Sequence, residues 1–458
     1  KINFITVTKK DSICYLFCMK ILFLYFAVLF FIALKDFFKV KNFDDFIVAG
    51  KKQRLSFVTF SLLATVLGAS ATLGVCERAE TEGFSAFWWL GFGSLGLFLQ
   101  ALFLSKKIRS FSVNTLPELV RFTVGPVGAK LVALVIAVSW VGVIAAQFVG
   151  LGYFLNLLVD DASKIMVIVS ALLVILYTLL GGQLSVVKTD VLQFSLFAIG
   201  IIGTFVFLFL ADLPLGKTQE QMPAIEMFGT YSVLEWSVLG VTILGAFLLG
   251  PDIVSRNLLS DSPKVAKRAN VLSGIFLIVF AFFITWIGVW CGIFFEGDKN
   301  PLLRLAEGLL PLPLAICLCV GMVSALFSSA DTSLINVSSI FAQDLLGTKK
   351  IITVRLIVVL IGVLATLLAL YGKDIITLLL SAYSVYTPGV VFPLAVAILA
   401  HGKFQVVEKI WVTGIFVGGI LGLAGTFIAK EMNVFPLIGI ALSLLFSLCS
   451  LRRIKNPT

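Results

Sequence analysis

Long apolar runs separated by short polar links dominate the chain, and their length carries the first inference. A bilayer core about 30 Å thick needs about 20 largely apolar residues per helix. On that rule about thirteen segments can cross a membrane, near 13–34, 56–77, 84–104, 127–158, 164–180, 190–211, 233–252, 270–295, 311–345, 351–371, 374–399, 410–429 and 433–451. The pattern predicts an all-α polytopic membrane protein. Two runs are interrupted. The middle of the second, Ala64-Thr65-Val66-Leu67-Gly68-Ala69-Ser70-Ala71-Thr72, is small and hydroxylic. The seventh ends in Leu248-Leu249-Gly250-Pro251-Asp252, where Pro251 removes a backbone donor and Gly250 loosens the turn. Irregular backbone at membrane depth survives only where protein covers it or it lines a cavity, and a matched pair of such spans points to a midplane binding site. The interruptions lie five segments apart, so the expected units are 1–55, 56–211, 232–400 and 401–458, the middle two being five-span repeats of opposite orientation. Small residues packing helix on helix explain the same composition without a break.

Composition strengthens this picture. Of 458 residues 59% are hydrophobic and only 13% charged, which excludes an ordinary soluble protein. The net charge of +10 is no nucleic-acid signal, because Lys and Arg fall in short links rather than along one face. Placing the linker with Lys35, Lys39, Lys41, Lys51, Lys52 and Arg54 inside puts about 24 of the 35 basic residues on the cytoplasmic side. The N-terminus is then external, the C-terminus cytoplasmic, and a bacterial inner membrane the expected location. The chain opens with Lys1 and its first Met is Met19, so residues 1–18 read as upstream sequence. The seven cysteines, Cys14, Cys18, Cys76, Cys291, Cys317, Cys319 and Cys449, lack metal-site spacing and read as small core residues. With a single histidine, His401, neither a His-based triad nor a His metal cluster can be written.

Four stretches, in order, resemble the sodium:solute symporter family. They are Phe46–Lys51 leading into Ser61-Leu62-Leu63-Ala64-Thr65; Tyr177–Gly182 followed by Val187-Lys188-Thr189-Asp190-Val191-Leu192-Gln193; Gly250-Pro251-Asp252 with Ser255-Arg256; and Ala325-Leu326-Phe327-Ser328-Ser329-Ala330-Asp331, ending in Ser338-Ser339-Ile340 and Asp344. The resemblance implies the leucine-transporter type of fold, an inverted five-plus-five repeat with one span before and two after. It also implies one sodium ion held by the carbonyls of Ala64, Leu67 and Ala325 and the hydroxyls of Ser328 and Ser329, with Asp190 on the ion's exit path. Such oxygen ligands suit a hard cation. Read without the family, the two serines bond back to the preceding turn or join helix to helix. Asp190 could cap its helix beside Lys188, and Asp252 and Arg256 could pair as i and i+4. Where sodium/proline carriers have an acid this chain has Val66, which makes a second sodium there unlooked for.

The solute is expected at the same break, bounded by Gly68, Ala69, Ser70 and Thr72 on one side and Gly245, Leu249 and Gly250 on the other. Free backbone N–H groups at half-helix starts favour a small carboxylate-bearing solute, an amino acid such as proline or a monocarboxylate. Trp140, Gln147 and Tyr153 recur near helical spacing and either wall the cavity or pack helices. The expected activity is sodium-coupled symport, with the bilayer and a small organic solute as partners and neither nucleic acid nor a protein partner. A passive channel and a membrane-embedded enzyme are the alternatives; the latter needs paired intramembrane aspartates, and the acids here lie mostly at span ends.

Overall fold

The computed structural model describes residues 12–156, 163–210, 228, 231–294, 299–371, 375–428 and 434–454, with the backbone alone at 12–19, 163, 294, 427 and 428. Among these residues, nine helices are long and apolar enough to cross a membrane, and Leu55–Val66 and Phe435–Cys449 are shorter apolar helices. They do not map one to one onto the thirteen expected segments. Those expected at 164–180 and 190–211 belong to one helical run, Ser163–Leu210, bent at Gly182 with φ 57° and ψ −158°. Only glycine adopts that backbone readily. A Cβ there would also meet the Phe46 carbonyl oxygen at 2.8 Å.

Both interruptions are present. The helix Leu55–Val66 ends at Leu67, whose φ of −90° and ψ of 45° leave the helical region, and the chain resumes as a wide turn over Ser70–Gly74. The helix Val233–Leu249 stops at Gly250 with ψ 139°, and Pro251 opens the helix Pro251–Leu259. Proline fits there because the first turn has no helical acceptor for its missing N–H.

The helix Leu312–Ile340 forms the axis of the bundle, with every residue from Leu318 to Ile340 buried. It packs against Ser163–Leu210, Pro126–Asn156 and Leu55–Val66. Glycine governs the closest of these contacts. A Cβ on Gly321 would lie 2.7 Å from the Leu196 carbonyl oxygen, and one on Gly200 would lie 2.9 Å from that of Cys317. Backbone breaks and small-residue packing, offered by the sequence as alternatives, therefore both occur, at different places. Cys76, Cys291, Cys317, Cys319 and Cys449 are free thiols; Cys14 and Cys18 lie outside the described side chains. Near the end of the chain, Phe404–Val406 pairs antiparallel with Leu451–Arg453 and closes off the helices Glu408–Ile428 and Phe435–Cys449.

Gly182→Ala is expected to cost about 1–3 kcal/mol through backbone strain and to lower the thermal unfolding midpoint of the detergent-purified protein. Gly308→Ala, where a Cβ meets nothing within 4 Å, should leave the midpoint unchanged.

Candidate functional site

At the first break the freed backbone groups find partners from three directions. The amide of Ala69 donates to Gln147 Oε1 at 2.8 Å, and the carbonyl of Gly68 accepts from the Thr72 amide at 3.1 Å and the Thr72 hydroxyl at 2.8 Å. Gly68 leaves no room for a side chain, since a Cβ would lie 2.7 Å from both Gln147 Oε1 and Ser329 Oγ. From the axial helix, Ser329 Oγ reaches the carbonyl oxygens of Ala64 at 3.2 Å, Thr65 at 2.9 Å and Ala325 at 3.1 Å. One hydroxyl donates one proton, so it can satisfy only one of three converging carbonyls at a time. The surplus of oxygen lone pairs is the donor set that a small hard cation takes. Ala64, Ala325 and Ser329 thus come together; Thr65 joins them, and Leu67 marks the turn out of the helix just beyond. Its neighbour Ser70 lines the adjoining cavity.

Ser328 points elsewhere. Its hydroxyl bonds Asp190 Oδ1, while Ser61 donates to Asp190 Oδ2 and Arg256 Nη2 stands 3.4 Å from the same oxygen. Arg256 Nη2 also bonds Thr332 Oγ1. Asp190 is completely buried rather than capping a helix at the interface, and Lys188 pairs with Asp36 at 2.6 Å instead. Nor do Asp252 and Arg256 pair along their helix: Asp252 accepts from Trp140 Nε1 at 2.7 Å, Ser333 Oγ at 2.9 Å and Asn336 Nδ2 at 2.9 Å. The i, i+4 spacing allowed the pair. Packing against the axial helix instead gave each charge its own polar partners and separated two adjoining sites.

Asp252 lies in the wall of a cavity of about 50 Å³ bounded by Thr65, Gly68, Ser70, Trp89, Trp140, Gln147, Gly250, Ser329 and Tyr383, among others. Organic solutes occupy pockets of roughly 300 Å³ or more, so the helices must part to admit one. Of the residues expected around a solute, Gly68, Ser70 and Gly250 line this cavity. The others have structural work. Ala69 packs on Gly150, Thr72 bonds back to Gly68, Leu249 accepts from the Tyr386 hydroxyl at 2.6 Å, and Gly245 makes way for Thr387. Trp140 and Gln147 wall the cavity, whereas Tyr153 is 46% exposed on the far side of its helix. The sequence did not single out Trp89 or Tyr383. Nor did it see Asp252 as a cavity acid, although an aspartate directly after Gly-Pro in an interrupted span was a usable signal. Asp331, on the axial helix, is also buried.

Two broken helices, a carbonyl cradle beside one of them and a closed solute cavity between them define a secondary transporter of the alternating-access kind. The chain belongs to the sodium:solute symporter family, whose model matches residues 46–422. It is therefore a sodium-coupled membrane carrier and not an enzyme. Its relatives include the human high affinity choline transporter 1, 29% identical over 78% of this chain and 67% of that protein. The sodium/sialic acid symporter of Proteus mirabilis is 24% identical over 45% of this chain and 48% of its own length. A solved Na+-coupled sialic acid symporter, in a substrate-bound outward-open state, superposes with a TM-score of 0.78, covering 96% of this chain and 99% of that one at 19% identity. The fold is accordingly the leucine-transporter type with its inverted five-plus-five repeat.

Removing either member of the buried Asp190–Arg256 pair leaves an uncompensated charge, at a cost of about 3–5 kcal/mol. Asp190→Asn and Arg256→Gln should each lower the unfolding midpoint more than the double variant does, as a thermal double-mutant cycle will read.

Proposed function

We propose that this carrier couples sodium entry to uptake of a small organic cation, a quaternary or tertiary ammonium of the choline type. The observation that carries the reading is the cavity wall: Asp252 stands among Trp89, Trp140 and Tyr383, and the lining includes neither lysine nor arginine among the described residues. Aromatic faces attract cations by about 0.5–2 kcal/mol each, and a desolvated carboxylate supplies the counter-charge. The human choline transporter among the relatives supports the same class. A carboxylate-bearing solute, which the half-helix N–H groups alone would favour, meets an acid at this wall. Sialic acid, carried by another relative, is disfavoured on the same ground.

Sodium would be held by the carbonyls of Ala64, Thr65 and Ala325 with Ser329 Oγ, close to the turn at Leu67. Ser328 serves instead to hold Asp190, paired with Arg256, beside the cradle on the exit path toward the expected cytoplasmic side. An ion in the cradle ties the broken helix to the axial helix, and Gly68, wedged between Ser329 and Gln147, passes that order on to the solute cavity. Each sodium entering down 100 mV releases about 2.3 kcal/mol before its concentration gradient is counted, enough to concentrate a solute.

In proteoliposomes, choline should accumulate against its gradient with inward sodium and not with potassium, while proline and acetate should not. Accumulation of either of those two without choline would overturn the cation reading, and choline flux that never exceeds equilibrium would point to a channel. Ser329→Ala should raise the sodium needed for half-maximal uptake about tenfold, with the choline KM at saturating sodium little changed. Asp252→Asn should do the reverse, raising the choline KM by at least about tenfold.

A further inference from the structure

A second cavity, which shares no lining residue with the first, has a volume of about 450 Å³ and is lined by Leu55, Lys106, Lys264, Lys267, Arg268, Val271 and Leu272. Four of its seven lining residues are cations and none is an acid. None of the four forms an ion pair among the described residues. Their placement is specific. Lys106 sits where the apolar run Ser70–Ser110 ends, and Lys264, Lys267 and Arg268 occupy the start of Pro263–Phe294, so the groove lies at the level where spans leave the hydrocarbon. Residues 264, 267 and 268 are i, i+3 and i+4, on one face of that helix. Continued by a further turn, the same side of the helix carries Leu272, Ile275, Phe276 and Val279, each between 36% and 49% exposed.

A cationic cup opening onto an exposed apolar stripe matches one kind of molecule: an anion with hydrocarbon attached. We propose that this groove is a binding site for an anionic phospholipid, with the phosphate among Lys106, Lys264, Lys267 and Arg268 and an acyl chain along Leu272, Ile275 and Val279. Basic pockets between helix ends bind anionic headgroups, each cation contributing about fivefold in affinity. Arg109 takes no part, because its Nε donates to the Ser260 carbonyl oxygen at 2.7 Å. The occupied groove would fasten the ends of two spans, Lys106 on one and Lys264 to Arg268 on the other, to the leaflet around them.

The test is a lipid titration of the detergent-purified full chain followed by native mass spectrometry, using phosphatidylglycerol and phosphatidylcholine of identical acyl chains. Phosphatidylglycerol should bind more tightly, and excess inorganic phosphate should not displace it. Lys267→Gln with Arg268→Gln should weaken phosphatidylglycerol about 25-fold, while Lys349→Gln with Lys350→Gln, an exposed basic pair elsewhere, should not. Equal binding of the two lipids by the unaltered chain overturns the proposal without recourse to any variant. So does full displacement by inorganic phosphate, which would make the groove a site for a free anion, or an equal loss in both double variants.

Discussion

Inside a bilayer a helix that stops must find partners for the backbone groups it frees, and the rest of this structure follows from where those partners come. Water is absent, and each unpaired amide or carbonyl would cost several kcal/mol. At the first break the partners are a glutamine on one neighbouring helix and a serine on the axial helix. At the second, Gly250 and Pro251 end one helix and begin the next with few groups to satisfy, and Tyr386 caps the carbonyl of Leu249. The first break is left with more acceptors than donors. That surplus of converging oxygens sets it apart from a plain kink.

The charges beneath the cradle obey the same economy of partners. Asp190 and Arg256 are both buried, and neither could remain ionised alone at that depth. Ser61 and Ser328 donate their hydroxyls to Asp190, and Thr332 Oγ1 accepts from Arg256, so four helices are held by one polar knot. The knot joins Leu55–Val66, the helix of Asp190, the second half-helix Pro251–Leu259 and the axial helix.

Asp252 stands apart from that knot although it lies one helical turn from Arg256. Three neutral donors, Trp140, Ser333 and Asn336, hold the carboxylate without cancelling its charge. A cavity acid that is bonded but not neutralised keeps its field directed at whatever enters. With Trp89, Trp140 and Tyr383 in the same lining, this is the wall on which the proposed preference for a cation rests.

The sequence by itself determined the class and the frame. Apolar run lengths gave a polytopic helical protein, and the small-hydroxylic stretch around Leu67 and the Gly250-Pro251 step located both breaks, because helix continuity and its failure are local properties of the backbone. Ala64, Ala325 and Ser329, grouped by the resemblance, do lie together in the fold. Only the tertiary structure decided which way each polar side chain turned. Ser328 and Ser329 are adjacent, about 100° apart on their helix, and whether one faces the cradle and the other Asp190 depends on how that helix is rotated against its neighbours. Asp252 and Arg256 had the spacing of a pair and were drawn apart by partners some 66 to 112 residues away in the chain. The aromatic walls Trp89 and Tyr383 come from distant segments with no motif of their own. Their meeting is a consequence of packing, which no local pattern encodes.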